Sequence, residues 1–393
     1  MENTVPSFIH PFLLMEGGPL YNFQKKIGLL TGPPPAMKKR ALAAAFLAFF
    51  PLLLLSGLQG QAFGHVVVPF VRDFSTYSRF LLAIPLLILA EHILGQRIAL
   101  VANHFIEDRI ILEKDYAKYA GIIDRGLRAR DSVLAELILA IFAYVFAIIG
   151  LRSTAIHTST WYLTRTDAGA SLTWAGWWLL ACSAPFFQFL VYRWLWRLFL
   201  WFQFLSRVRR LDLQLYPTHP DEAAGLGFVG ETQRFFGIIL FSFSLGSAGV
   251  LANDVVYNKV PLQHFTTPIA AYVIIALVVL IAPLALFASV LAHTKRIGLL
   301  QYATLATAYT SAFHKKWIDP GNSGDEPLLG TGDIQSLADL GNSFKIIEDM
   351  RPLPIDLRTL LHLAVAAVLP LTPLLLAVMP LKQLLGLLVK VLM

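Results

Sequence analysis

At 393 residues the chain has the length of two or three soluble domains, but 56% of it is hydrophobic and only 15% charged, and its mean hydropathy of +0.62 places it in a bilayer. The net charge of +7 gathers beside apolar runs, where membrane topology and anionic lipid account for it and nucleic acid is excluded as a partner. A lone cysteine, Cys182, excludes an intramolecular disulfide and any cysteine-based zinc site.

The first forty residues hold a short amphipathic run from Phe12 to Leu30, broken by Gly17-Gly18-Pro19, and then Gly32-Pro33-Pro34-Pro35 and the basic Lys38-Lys39-Arg40. Residues 1–40 therefore read as a cytoplasmic amphipathic segment ahead of a first span at 41–58. Gly60-Gln61-Ala62 resembles a small-residue cleavage site, but the forty residues ahead of the span make it an uncleaved anchor. Runs of about 20 apolar residues, the length that crosses a bilayer, follow at 74–95, 133–151, 174–195, 234–251, 268–291 and 357–379. The expected fold is an all-α, polytopic bundle of seven transmembrane helices over 41–379, with cytoplasmic insertions at 96–132, 205–233 and 294–356 forming a helical layer. Residues 380–393 read as an interfacial C-terminal helix.

Alternation of the seven spans puts 25 of the 32 Lys and Arg on the side of the amino terminus. That bias makes this side cytoplasmic. Apolar residues in 97–131 recur at three- and four-residue steps, which predicts one amphipathic helix of about 50 Å. The fourth apolar run overshoots the bilayer, and Arg193, Trp194, Trp196, Arg197 and Trp201 in its last part are expected at the interface, with snorkelling guanidiniums. Helices are also expected at 294–317 and 333–350, separated by a Gly-, Pro- and Asp-rich loop.

The densest functional-looking stretch is the loop RVRRLDLQLYPTHPDEAAGLGFVGE, 207–231. His219, Asp221 and Glu222 supply ligand-type groups, and Gly225 and Gly227 with Gly230 imitate a dinucleotide fingerprint. The fingerprint needs a strand before it, and here a membrane helix precedes, so close backbone approach and helix capping by Asp221 compete with a ligand site. On a continuous 97–131 helix, His104, Asp108 and Asp115 fall within about 40° of one another. With His219 and Asp221 they define a candidate metal site of His104, Asp108, His219 and Asp221, against a solvated acidic face paired with Lys114, Lys118 and Arg109. Inside the spans, Arg79, Glu91, Glu136 and Arg193 are costly in hydrocarbon unless paired or snorkelling. Glu91, Glu136 and Arg193 share the inner boundary and can pair, as the lining of a ligand or ion pathway. Thr372, between Pro370 and Pro373, adds a hydroxyl and freed carbonyls to the same candidate pathway.

His219-Pro220-Asp221 followed by Gly225-Leu226-Gly227-Phe228, together with the Asp356-Leu357-Arg358 entry to the last span, resembles a family of bacterial polytopic inner-membrane proteins to which no activity is attached. Ala224 stands where that family would place glycine. The resemblance implies a bacterial inner membrane and no mechanism. The leading function is a channel or transporter for a small solute or ion. A membrane-embedded enzyme with a cytoplasmic metal or phosphate site, and a membrane scaffold or signalling module, are the alternatives. The bilayer is the expected partner, with anionic lipid at the cytoplasmic face; an oligomer is compatible with the sequence, and no particular cofactor is indicated.

Overall fold

The computed structural model describes residues 6, 8–28, 35–154, 159–166, 169–319 and 331–376. Seven helices in it are long and apolar enough to cross a membrane: Met37–Leu58, Phe74–Glu107, Val133–Leu151, Trp174–Val208, Gly227–Val256, Leu262–Ala285 and Leu357–Leu375. The protein is a multi-pass, all-α membrane bundle. The expected interfacial helix at 380–393 lies outside the described residues.

The second and fifth spans form the centre, with 56% and 50% of their most apolar windows buried, whereas the third and sixth bury 11% and 17% and present aliphatic side chains outward to lipid. Close approach at the centre uses small residues: a Cβ on Gly249 would stand 1.9 Å from Ser78 Oγ. Both the second and the fourth span open with a wide π turn, Tyr77–Ala83 and Leu179–Ser183, shortly before Pro85 and Pro185. A proline without an N–H leaves a carbonyl one turn back without its donor, and the wider turn accommodates the mismatch.

Both of these spans overrun the bilayer. Phe74–Glu107 has 34 residues and Trp174–Val208 has 35, each about 50 Å long against a hydrocarbon core of about 30 Å. Their overruns carry a layer in which residues 107–116 pair with 211–215 through an Ile111–Leu213 bridge, and Lys295 Nζ donates to the carbonyls of Glu348 and Met350. This end is called the basic end below. At the opposite end, Leu163–Thr166 and Gly169–Leu172 form an antiparallel hairpin.

One expectation about the basic end is corrected. The 97–131 segment is not one helix: the second span runs on to Glu107, the chain turns at Arg109 in the left-handed region (φ 55°), and a separate helix, Tyr116–Arg130, follows. The turn places Ile110 and Ile111 in the core, 4% and 0% exposed. The amino-terminal segment contributes its apolar side chains to the bundle. Ile9, Phe12, Leu14 and Met15 are buried in the main core, with Phe12 stacked on Phe204 at 4.5 Å.

Candidate functional site

Glu91 lies on the second span, more than four turns before its end at Glu107, and three guanidiniums converge on it. Arg40, just inside the first span, meets Oε2 at 2.6 Å; Arg193 and Arg197, one turn apart on the fourth span, meet Oε1 at 3.0 and 2.9 Å. All four side chains are 3–4% exposed. Arg193 and Arg197 are therefore not snorkelling, and Trp194 and Trp201 beside them are buried as well, which corrects the interfacial reading. The reason is partnership: the Glu91 carboxylate offers an inward counter-charge, and the indole of Trp194 donates to the Leu87 carbonyl oxygen. Glu136, on the third span, stands 3.6 Å from Arg193 Nε.

Three cations face two carboxylates, and the main chain of the amino-terminal strap offsets the excess. Met15 and Gly17 turn their carbonyl oxygens to Arg197 and Arg193 at 3.1 and 3.3 Å, and Leu13 turns its own to Arg130 at 2.6 Å. Its donors are used too: the Gly18 amide goes to Asp131 at 2.7 Å and the Leu20 amide to Glu136 at 2.8 Å. Glu136 thereby caps the helix Pro19–Lys26, where a negative charge is favoured by the exposed amides. A strap held by five charged side chains from three elements closes the basic end over the Glu91 cluster.

The 207–231 loop is built around Asp221. Its Oδ1 accepts from the amides of Ala223 and Gly225 at 2.9 and 3.1 Å, and Oδ2 from the amide of Gly227 at 2.8 Å, the first residue of the fifth membrane helix. Burial disfavours the charged carboxylate, but these three donors and His219 outweigh it and hold the Asp221 carboxyl below its usual value. The Arg351 guanidinium clamps the loop from below, donating to the Asp221 carbonyl oxygen and lying 3.6 Å from Glu222. The glycines are structural: a Cβ on Gly230 would fall 1.6 Å from the Pro354 carbonyl oxygen. Ala224 has φ 55°, a left-handed conformation that favours glycine, which is the residue the resemblance led one to expect there.

His104, Asp108, His219 and Asp221 do line one pocket of about 260 Å³ with Arg351 and Asp356. Each imidazole is already paired with its own neighbour, His104 with Asp108 at 2.9 Å and His219 with Asp221 at 2.8 Å. Among the described residues no group of three or more His, Cys, Asp or Glu side chains stands close enough to hold a metal ion. Asp115 is elsewhere, because the turn at Arg109 takes it off the face of His104; it binds Lys118 at 2.6 Å and the Asp212 amide at 3.4 Å.

At the hairpin end a second cavity, of about 460 Å³, enters the bundle between the second, third, fourth and fifth spans. Arg79 and Phe80 line it, and Asp73 lies at its edge as a junction: its carboxylate accepts from Ser75, Thr76, Trp161 Nε1 at 2.8 Å and Asn253 Nδ2 at 2.7 Å. Between Arg79 and Glu91 the second span buries Ile84, Leu87 and Ile88. Thr372 belongs to neither group; its hydroxyl donates to the Leu369 carbonyl oxygen at 2.8 Å.

Sequence reasoning brought Glu91, Glu136 and Arg193 together but missed Arg40, Arg197 and Asp73. Arg40 had read as part of a topological cluster, and only the i, i+4 spacing of Arg193 and Arg197 hinted that both face one partner. No protein-family model, curated protein or solved structure matches the chain.

Proposed function

We propose that the protein is a transporter for a small solute or ion, seen closed at the basic end, and that this end faces the cytoplasm of a bacterial inner membrane. The observation that carries the reading is the cavity that runs from the hairpin end to Arg79 and Phe80 inside the bundle, collinear along the second span with the Glu91 cluster on the far side of an apolar layer. Such an arrangement is one end of an alternating-access cycle, open to one face and sealed to the other.

Opening the basic end requires the strap to leave and Arg40, Arg193 and Arg197 to separate from Glu91. The π turns before Pro85 and Pro185 give the two spans that carry the cluster a place to change register. The orientation is supported by the 25 of 32 basic residues that alternation assigns to this side. The same basic layer suits anionic headgroups. The enzyme reading draws less support, because both imidazoles of the basic-end pocket are already engaged by neighbouring carboxylates.

The test is osmotic swelling of proteoliposomes followed by light scattering, with a panel of small organic anions and neutral polyols. Swelling faster than in protein-free vesicles for at least one solute, and altered by Glu91→Gln, is expected. Rates equal to those of empty vesicles across the panel would overturn the proposal.

A further inference from the structure

We infer that the hairpin-end cavity binds a small organic carboxylate with an apolar body, whose charged end is taken by Arg79. The inference names a ligand class for the cavity and rests on the transport reading for its purpose.

A guanidinium within a membrane span is unfavourable unless it is paired. The contrast with the other end is direct. Arg40, Arg193 and Arg197 each have a carboxylate partner within 3.0 Å, whereas Arg79 forms no ion pair among the described residues. Its Nε is shielded from solvent and has no hydrogen-bond partner. The Phe187 ring lies 5.9 Å from its guanidinium carbon.

The acid nearest in sequence does not replace the missing partner. Asp73 feels the Arg79 charge, but its two oxygens are occupied by the amides and hydroxyls of Ser75 and Thr76, the Trp161 indole and the Asn253 amide. Those bonds fasten the carboxylate to the ends of the second and fifth spans and to Trp161, and leave the guanidinium of Arg79 to line the cavity.

Two more polar atoms that line the cavity are buried and unpartnered: Thr160 Oγ1, on a residue 3% exposed, and Gln188 Oε1. Buried polar groups are normally satisfied, so the two unused donors beside the cavity, Arg79 Nε–H and the Thr160 hydroxyl, point to a ligand that accepts from them. The Gln188 amide and the Thr160 hydroxyl can both turn a donor toward an anion. The shape of a guanidinium favours a planar, two-oxygen partner over a spherical ion. The remaining wall, with Val68, Phe80, Leu179 and Leu180, is apolar, which fits a hydrocarbon or aromatic body behind the carboxylate. The volume lies in the range of small-molecule sites.

The experiment is isothermal titration of the detergent-purified full chain at constant ionic strength with benzoate, benzamide and inorganic phosphate. Benzoate should bind at least about tenfold tighter than benzamide, and Arg79→Gln should weaken benzoate by about tenfold or more, the size of a lost charge-assisted contact. Should Arg79→Gln fail to fold, Leu180→Trp, which fills the apolar wall, must weaken benzoate while leaving the thermal melt unchanged. Equal binding of benzoate and benzamide, binding of phosphate alone, or benzoate affinity untouched by both variants would overturn the inference. Carboxylate binding without any flux in vesicles would sink the transport reading and leave this site standing; flux of neutral polyols without carboxylate binding would do the reverse.

Discussion

The carbonyl oxygen of Met15 accepts a hydrogen bond from Arg197 Nη2 at 3.1 Å, joining residues 182 positions apart in a buried site. Through it the amino-terminal strap becomes part of the coordination of Glu91, so whatever displaces the strap uncovers the charge cluster.

Space at Gly126 decides whether the strap can sit. A Cβ there would stand 2.8 Å from Phe12 Cε2, and a leucine would drive the ring out. Gly126→Leu is expected to make residues 8–20 cleavable by protease in detergent while the bundle stays helical by circular dichroism. Protection equal to that of the wild type would contradict the strap's packing.

Removing the carboxylate at the centre leaves three buried guanidiniums facing one another. Glu91→Gln is expected to destabilise the bundle by about 3–5 kcal/mol, as breaking a buried ion pair does. Glu136→Gln, which keeps an acceptor for the Leu20 amide, should cost about 1 kcal/mol. Unfolding in detergent measures both, and Glu91→Gln combined with Arg40→Gln should cost less than the sum of the two single changes.

Acid should open the 207–231 loop. The Asp221 carboxyl titrates below its unfolded value because the folded loop donates to its charged form. Its contribution is therefore fully present above about pH 4, the ordinary range of the group, and is lost as the pH falls through the lower, folded value. Amide exchange at Ala223, Gly225 and Gly227, corrected for intrinsic rate, should rise below that pH in the wild type. In Asp221→Asn these amides should exchange fast at neutral pH, with the acid step absent.

Three small-residue changes separate packing from conformation. Gly230→Ala pushes a methyl into the Pro354 carbonyl and should cost more than about 2 kcal/mol. Gly121→Ala, on the basic-end helix with nothing within 4 Å, should stabilise by about 0.5–1 kcal/mol. Ala224→Gly relieves a left-handed φ of 55° and should stabilise by up to about 1 kcal/mol. Thermal unfolding of the three variants under one set of conditions gives the order.

Amino-acid type alone determined the seven spans and the crowding of basic residues at alternate connections, because hydropathy and charge act through the bilayer without reference to any neighbour. The same one-dimensional information was ambiguous at Glu91, Glu136 and Arg193: a charge near a span end is equally suited to snorkelling or to burial until a partner is placed beside it. It also gave no sign that Arg40 would meet Glu91 or that Met15 would meet the fourth span, since those contacts bridge more than fifty residues of chain and depend on which spans are adjacent. Tertiary packing decided the turn at Arg109, which separated Asp115 from His104, and it left Arg79 lining a cavity without a counter-ion among the described residues. In each case the deciding quantity was the position of an opposite charge or a competing hydrogen-bond donor in space, and only the folded chain fixes that.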